Sequence, residues 1–198
     1  MEKENIYNVP NFLSFYRLVT FPLILWLIYE EKENAFAIFL CINLITDILD
    51  GLIARLFNLK TKFGAKLDSL ADNGTFIAAF IGIFTFKTGE LSGSIWMLWL
   101  FIAFFITGLI VSFVKFKQYP SLHLYTTKIG GYVQGIFIFI LFAWGYNEHL
   151  FYVAMILGYV SHIEEIVILL ISKRMKTDAK GLFWILKEKR QLRDSSFN

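Results

Sequence analysis

A chain of 198 residues that is 57% hydrophobic and 18% charged lies outside the range of soluble domains, which run at roughly 45–50% apolar and about 25% charged. Its formal net charge of +3 is concentrated in basic residues that follow directly on an apolar span, which argues against nucleic-acid binding. Cys41 is the one cysteine, so an intramolecular disulfide is excluded.

In chain order, six stretches approach the ~20 mostly apolar residues that a bilayer crossing needs: Phe12–Tyr29, Ala35–Phe57, Gly64–Phe86, Ile95–Phe116, Ile129–Tyr146 and Leu150–Ser172. The expected fold is therefore all-α and integral to the membrane, six transmembrane helices joined by short loops. The first stretch contains Pro22, which suits a kink or a tilted start. It runs into Glu30, Glu31, Lys32 and Glu33 with no small-residue cleavage site, so it reads as a retained helix rather than a signal peptide. Residues 1–172 form the six-helix domain on this reading. Residues 173–198 form a basic tail, with Leu182, Phe183, Ile185 and Leu186 set among Lys180, Lys187, Lys189 and Arg190 as in an amphipathic helix on anionic lipid.

The second and third stretches carry side chains that lipid does not tolerate. Asp47 and Asp50 stand three residues apart, and Asp68 and Asp72 stand four apart, each pair on one helical face. A charge at bilayer depth costs at least about 2.5 kcal/mol on insertion scales, so such residues face a cavity or a partner. If Phe57 to Phe63 turns the two helices antiparallel, both pairs meet at one end of the hairpin. Four hard oxygen ligands with no Cys or His among them suit Mg²⁺, Mn²⁺ or Ca²⁺ and not Zn²⁺. The small residues Gly51, Ala54 and Gly64 lie between them.

The whole string, Asp-x2-Asp-Gly-x2-Ala-Arg-x8-Gly-x3-Asp-x3-Asp from Asp47 to Asp72, resembles the signature of the CDP-alcohol phosphatidyltransferases in every residue type and spacing. The resemblance implies a membrane enzyme that moves a phosphatidyl group from CDP-diacylglycerol to a small alcohol and releases CMP. It implies that Asp47, Asp50 and Asp68 hold metal, two Mg²⁺ or Mn²⁺ ions, and that Asp72 is both ligand and general base. It further implies that Gly51, Ala54 and Gly64 admit the nucleotide and that Arg55 and Thr61 contact its phosphates or sugar. A homodimer is the usual assembly of the family.

Asn11, Leu13, Ser14 and Arg17 resemble the Asn-x-Leu-Thr/Ser-x-x-Arg segment of the same family; Arg17 there would reach a phosphate or snorkel to the interface. On the acceptor side, Lys115 and Lys117 resemble a basic pair of inositol-phosphate-accepting relatives. Lys128 with Gln134 resembles an element of the glycerophosphate-accepting ones. Asn73 stands where those often have Lys, and the run after Leu67 looks like the serine-accepting relatives. Glycerol 3-phosphate is the leading expectation, with serine and an inositol phosphate as alternatives. A proton relay or ion transporter is the rival class, and it would show ion flux and indifference to CDP-lipid. Glu164 and Glu165 in the sixth stretch need a partner or water, and Lys128, Lys115 or Arg17 could supply the partner. His162 reads as a structural histidine, and His123 and His149 as loop residues.

Orientation follows from basic loop residues. Lys60, Lys62, Lys115, Lys117 and the tail share one side; Glu30, Glu31 and Glu33 with Lys32, then Lys87 and Glu90, then Glu148 share the other. Both termini and the aspartates are expected on the cytoplasmic side of the cell membrane.

Overall fold

Asn8 begins the first helix. Its side-chain oxygen accepts from the backbone N–H of Asn11 at 2.9 Å, Pro10 follows in the first turn, and α1 runs Val9–Tyr29 through Pro22. The cap explains why the helix begins three residues earlier than the apolar run alone suggests. In this computed structural model, which describes residues 6–59, 61–118, 122, 124–172 and 180–195, every regular element is helical. The elements that follow are α2 (Glu33–Leu56), α3 (Lys62–Phe86), α4 (Ile95–Phe116), α5 (Tyr125–Ala143), α6 (Glu148–Ile171) and α7 (Leu182–Ser195). The first six are long and apolar enough to cross a bilayer. They leave large apolar side chains such as Ile38, Ile45, Leu52, Trp99 and Val114 on their outer faces. The chain is a multi-pass membrane protein.

The breaks between helices have local causes. Glu31 and Asn58 take left-handed conformations in the connections after α1 and α2, and Asn is among the residues that tolerate this best. Thr61 caps α3, its hydroxyl accepting from Gly64 N at 2.9 Å. The fifth helix was expected over Ile129–Tyr146 and instead spans Tyr125–Ala143. At its end Gly145 sits at φ +111, a conformation that stops the helix. At its start the polar Thr126 finds an acceptor in Glu164.

Two compact units result, one of residues 1–92 with 138–146 and one of residues 93–137 with 147–198. In the first, α1 packs against both α2 and α3. Small residues of α3 let the helices close up, as is usual without a hydrophobic drive between helices in lipid. A methyl built on Gly82 would lie 2.2 Å from Phe36 of α2, and Gly74 faces Phe21 of α1. Ala71, Ala78 and Ala79 are buried. Phe36 also meets Phe142 at a ring separation of 5.1 Å.

In the second unit α4 packs on α6. Gly158 of α6 lies where a side chain would meet Phe101 and Gln134. The tail helix α7 joins this unit. Ile185 is buried with Leu122, Leu124, Ile168 and Leu169, while Leu182 is packed against that cluster. The expected amphipathic face is thus partly spent on protein, leaving Phe183, Trp184 and Leu186 outward. Lys60, His123 and the tail residues 173–179 lie outside the described residues.

Candidate active site

The stripe Asn11, Ser14, Arg17 and Thr20 repeats every three residues along α1, and all four side chains are buried. It meets a polar stripe on α2 that begins at Asn43, whose side-chain oxygen accepts from Thr20 at 3.2 Å. One turn and two turns further, the same face of α2 presents Asp47 and Asp50. From α3, Asp68 and Asp72 complete the group.

Arg17 stands between them, with no solvent exposure of its side chain. One terminal nitrogen lies 2.7 Å from Asp47 and 2.5 Å from Asp72; the other lies 2.5 Å from Asp50 and 2.7 Å from Asp68. Ser14 also donates to Asp50 at 3.0 Å. The hairpin therefore does bring both acid pairs to one place, but three helices build the site rather than two. From the sequence alone, Arg17 reads as an anchor at the interface or a contact for a phosphate. The three-residue repeat of polar side chains in an apolar helix was the signal that could have placed it inside.

The donor set fits a hard divalent ion. One carboxylate oxygen from each of Asp47, Asp50 and Asp68 lies within 4.8 Å of the others, and among the described residues no Cys or His joins them. Oxygens ligating one ion at ~2.0–2.6 Å are separated by at most about twice that distance, so the spacing suits Mg²⁺, Mn²⁺ or Ca²⁺ with small adjustments. Asp72 is linked to this group through Arg17. Four carboxylates face one guanidinium, so the cluster remains net negative and attracts a cation.

Beside the acids lies a cavity of about 300 Å³ lined by Asp50, Gly51, Ala54, Arg55, Thr61, Gly64 and Asp68, with Asn11 and Ser14 on its α1 wall. Every residue that the signature nominates for the CDP group borders this one space. Glycine is needed at position 64 because a methyl there would lie 2.1 Å from Asn11 Oδ1. Thr61 spends its hydroxyl on the α3 cap, and Arg55 Nε donates to Gly51 O at 2.8 Å, which folds the side chain back along α2.

The family model for CDP-alcohol phosphatidyltransferases matches residues 7–163. The chain belongs to the CDP-alcohol phosphatidyltransferase family. It is similar to a cardiolipin synthase (CMP-forming) / mitochondrial hydrolase fusion protein of Schizosaccharomyces pombe, 36% identical over 123 residues, 61% of this chain and 19% of that protein. A CDP-diacylglycerol–glycerol-3-phosphate 3-phosphatidyltransferase of Aquifex aeolicus is 34% identical over 118 residues, 59% of this chain and 66% of that one. The protein of the same name from Escherichia coli is 36% identical over 69 residues, 33% of this chain and 38% of that one. The chain thus matches less than two thirds of the length of each of these relatives. No solved structure matches.

The residues nominated for the acceptor all belong to the second unit. Lys115 Nζ donates to Leu169 O and Leu170 O at 2.9 and 2.6 Å. A cation on the last carbonyls of a helix complements its dipole, so Lys115 closes α6. Lys117 is exposed and ends α4 in a left-handed conformation. Lys128 lies over the Tyr125 ring at 6.0 Å.

No lysine pairs with the acids of α6 among the described residues. Glu164 accepts from the Thr126 hydroxyl and, at 2.7 Å, from the backbone N–H of Leu182. It serves the first turn of α7, where unpaired N–H groups favour an anion. Glu165 meets His162 Nδ1 at 3.3 Å. These two contacts correct the expectation that Lys128, Lys115 or Arg17 would answer the glutamates.

Proposed function

We propose that this protein is a phospholipid synthase that transfers the phosphatidyl group of CDP-diacylglycerol to glycerol 3-phosphate and releases CMP. The observation that carries the reading is a single cavity whose wall holds Gly51, Ala54, Arg55, Thr61 and Gly64 together with Asp50 and Asp68 of the acid cluster. The names of the Aquifex and Escherichia relatives support glycerol 3-phosphate as the acceptor.

Asp47, Asp50 and Asp68 would hold Mg²⁺, with Asp72 and the substrate diphosphate supplying ligands for a second ion. The metal would neutralise the diphosphate and stabilise charge on the departing CMP. Gly51 and Ala54 keep the α2 surface low, which leaves room for the nucleotide, and Arg55 turns from Gly51 O towards its phosphates. Asp72 takes the proton of the acceptor hydroxyl. The hydroxyl oxygen bonds to the phosphorus attached to diacylglycerol, and the phosphoanhydride bond to CMP breaks. Lys115, Lys117 and Lys128 remain the acceptor-phosphate cations that the resemblance nominates, although Lys115 also bonds the last carbonyls of α6.

The basic loop residues support a cytoplasmic placement of both termini and of the site. The outward Phe183, Trp184 and Leu186 beside exposed Lys187 and Arg190 suit α7 to the anionic face of that membrane. Two copies are expected to pair through lipid-facing helices, as the resemblance implies.

The test is CMP release by the purified protein from CDP-diacylglycerol and Mg²⁺, with glycerol 3-phosphate, serine and inositol phosphate supplied in turn. Release with glycerol 3-phosphate alone is the expected result. Ion flux into liposomes without any CMP release would replace the enzyme with a transporter.

A further inference from the structure

We propose that Arg17 is the resident counter-ion of the acid cluster. It gathers Asp47, Asp50, Asp68 and Asp72 ahead of any divalent ion, and its charge competes with that ion for the same oxygens. The second half of this statement rests on the metal reading above; the first half stands on contacts within the chain.

An arginine that snorkels, or that waits for an incoming phosphate, keeps its head group accessible. The Arg17 side chain is fully enclosed, and each of its terminal nitrogens is shared between one acid of α2 and one of α3. The guanidinium thus staples the hairpin at the level of its charges. Four terminal N–H groups meet four carboxylates, and the fifth donor, Nε, is buried with no hydrogen-bond partner among the described residues. An unpaired buried N–H is costly, so the four acids, not the surroundings of Nε, set the position of the group. Lysine could not take this place, because an ammonium offers three donors from one point while guanidinium spreads its donors across a rigid fork.

Without a cation between them, four carboxylates this close would repel the α2 and α3 helices at the point where the site must be narrowest. Arg17 removes that repulsion in part and leaves the cluster net negative, which holds the ligands in place for an ion and retains an attraction for it. It is a positioning residue: through the acids it governs how readily the ion is held.

The experiment uses the full chain in detergent, melted in EDTA and in saturating Mg²⁺, with Mn²⁺ binding followed by electron paramagnetic resonance. In EDTA, Arg17→Met should melt lower than the wild type by on the order of 10 °C, with Arg17→Lys in between. Adding Asp47→Asn to Arg17→Met should raise the melting point again, because one less charge is left unbalanced. Mg²⁺ should stabilise Arg17→Met more than it stabilises the wild type, and Mn²⁺ should bind that variant more tightly. If Arg17→Met does not accumulate as folded protein, Arg17→Lys and the double variant supply the same comparisons. Equal melting of wild type and Arg17 variants in EDTA would overturn the counter-ion role, and an unchanged Mg²⁺ shift would overturn the competition. A wild type that binds no Mn²⁺ at all would remove the metal reading, while the EDTA comparison would still decide what Arg17 does.

Discussion

Asn11 of α1 occupies the space that a side chain on Gly64 of α3 would need: a methyl built there falls 2.1 Å from Asn11 Oδ1 and 2.8 Å from Thr61 Oγ1. Asn11 cannot simply swing away, because its amide nitrogen is held by Ile6 O at 2.8 Å and its side chain is buried. Gly64→Ala should therefore cost about 1–3 kcal/mol, as overpacking does, and lower CMP release by distorting the cavity wall. Truncating the obstacle in Asn11→Ala/Gly64→Ala should return part of the thermal stability. A single Gly64→Ala variant as stable as the wild type would mean that the two helices are not so closely apposed.

Asp72 and Asp50 should fail in different ways. Asp50 is one of the three acids whose carboxylate oxygens lie within 4.8 Å of one another, and Asp72 is joined to them through Arg17. Asp50→Asn should lose Mn²⁺ binding and turnover together. Asp72→Asn should keep at least one bound ion and lose about 10²–10⁴-fold in CMP release, the usual contribution of a general base. Wild-type turnover by Asp72→Asn would end its role as proton acceptor.

Removing the ion should stop the reaction without unfolding the chain. EDTA is expected to abolish CMP release, and Mg²⁺ or Mn²⁺ to restore it. Zn²⁺ should restore less, because the three-acid group is a set of hard oxygen ligands that suits the octahedral geometry of Mg²⁺ or Mn²⁺ better than the tetrahedral one of Zn²⁺.

Glu164 should hold the tail in place. It accepts from Leu182 N at the start of α7 and from the Thr126 hydroxyl, so Glu164→Ala removes both ties at once. Trypsin should then cut at Lys180 faster than in the wild type, while the six long helices keep their helical signal by circular dichroism. Unchanged cleavage would mean that Ile185 and its neighbours suffice to dock α7.

Lys87, just past α3, links that helix to Glu33 at 2.9 Å and to Glu90 at 2.8 Å. Burial pulls its ammonium down, but the two carboxylates more than offset this and leave the pKa above the ordinary 10.5. A raised pKa in the folded state adds stability below the ordinary value and loses it as pH rises through the folded one. Lys87→Met should melt below the wild type at neutral pH, and the gap should close only at strongly alkaline pH.

Much of this was legible in the residues. The length and polarity of the six stretches were enough to find six helices, because backbone in lipid must satisfy itself internally. Pairs of aspartates three and four apart were enough to bring two helices together. What stayed hidden was the third partner. An arginine five residues before Pro22 reads equally well as an interfacial anchor, and only its distance from four separate acids tells the two apart. The lysines were ambiguous for a similar reason. Lys115 looked like a ligand for an acceptor, whereas the open carbonyls of Leu169 and Leu170 at the end of α6 take it, and sequence spacing does not show which helix ends lie near each other.

The enclosure of Arg17 also bears on how the chain is made. A ribosome releases Arg17 thirty residues before Asp47 and 55 before Asp72. Until those acids emerge, α1 offers the membrane an unanswered charge, which lipid resists. The first helix is thus poorly suited to settle alone, and it enters the bilayer at least expense when α2 and α3 follow and the three insert as a group.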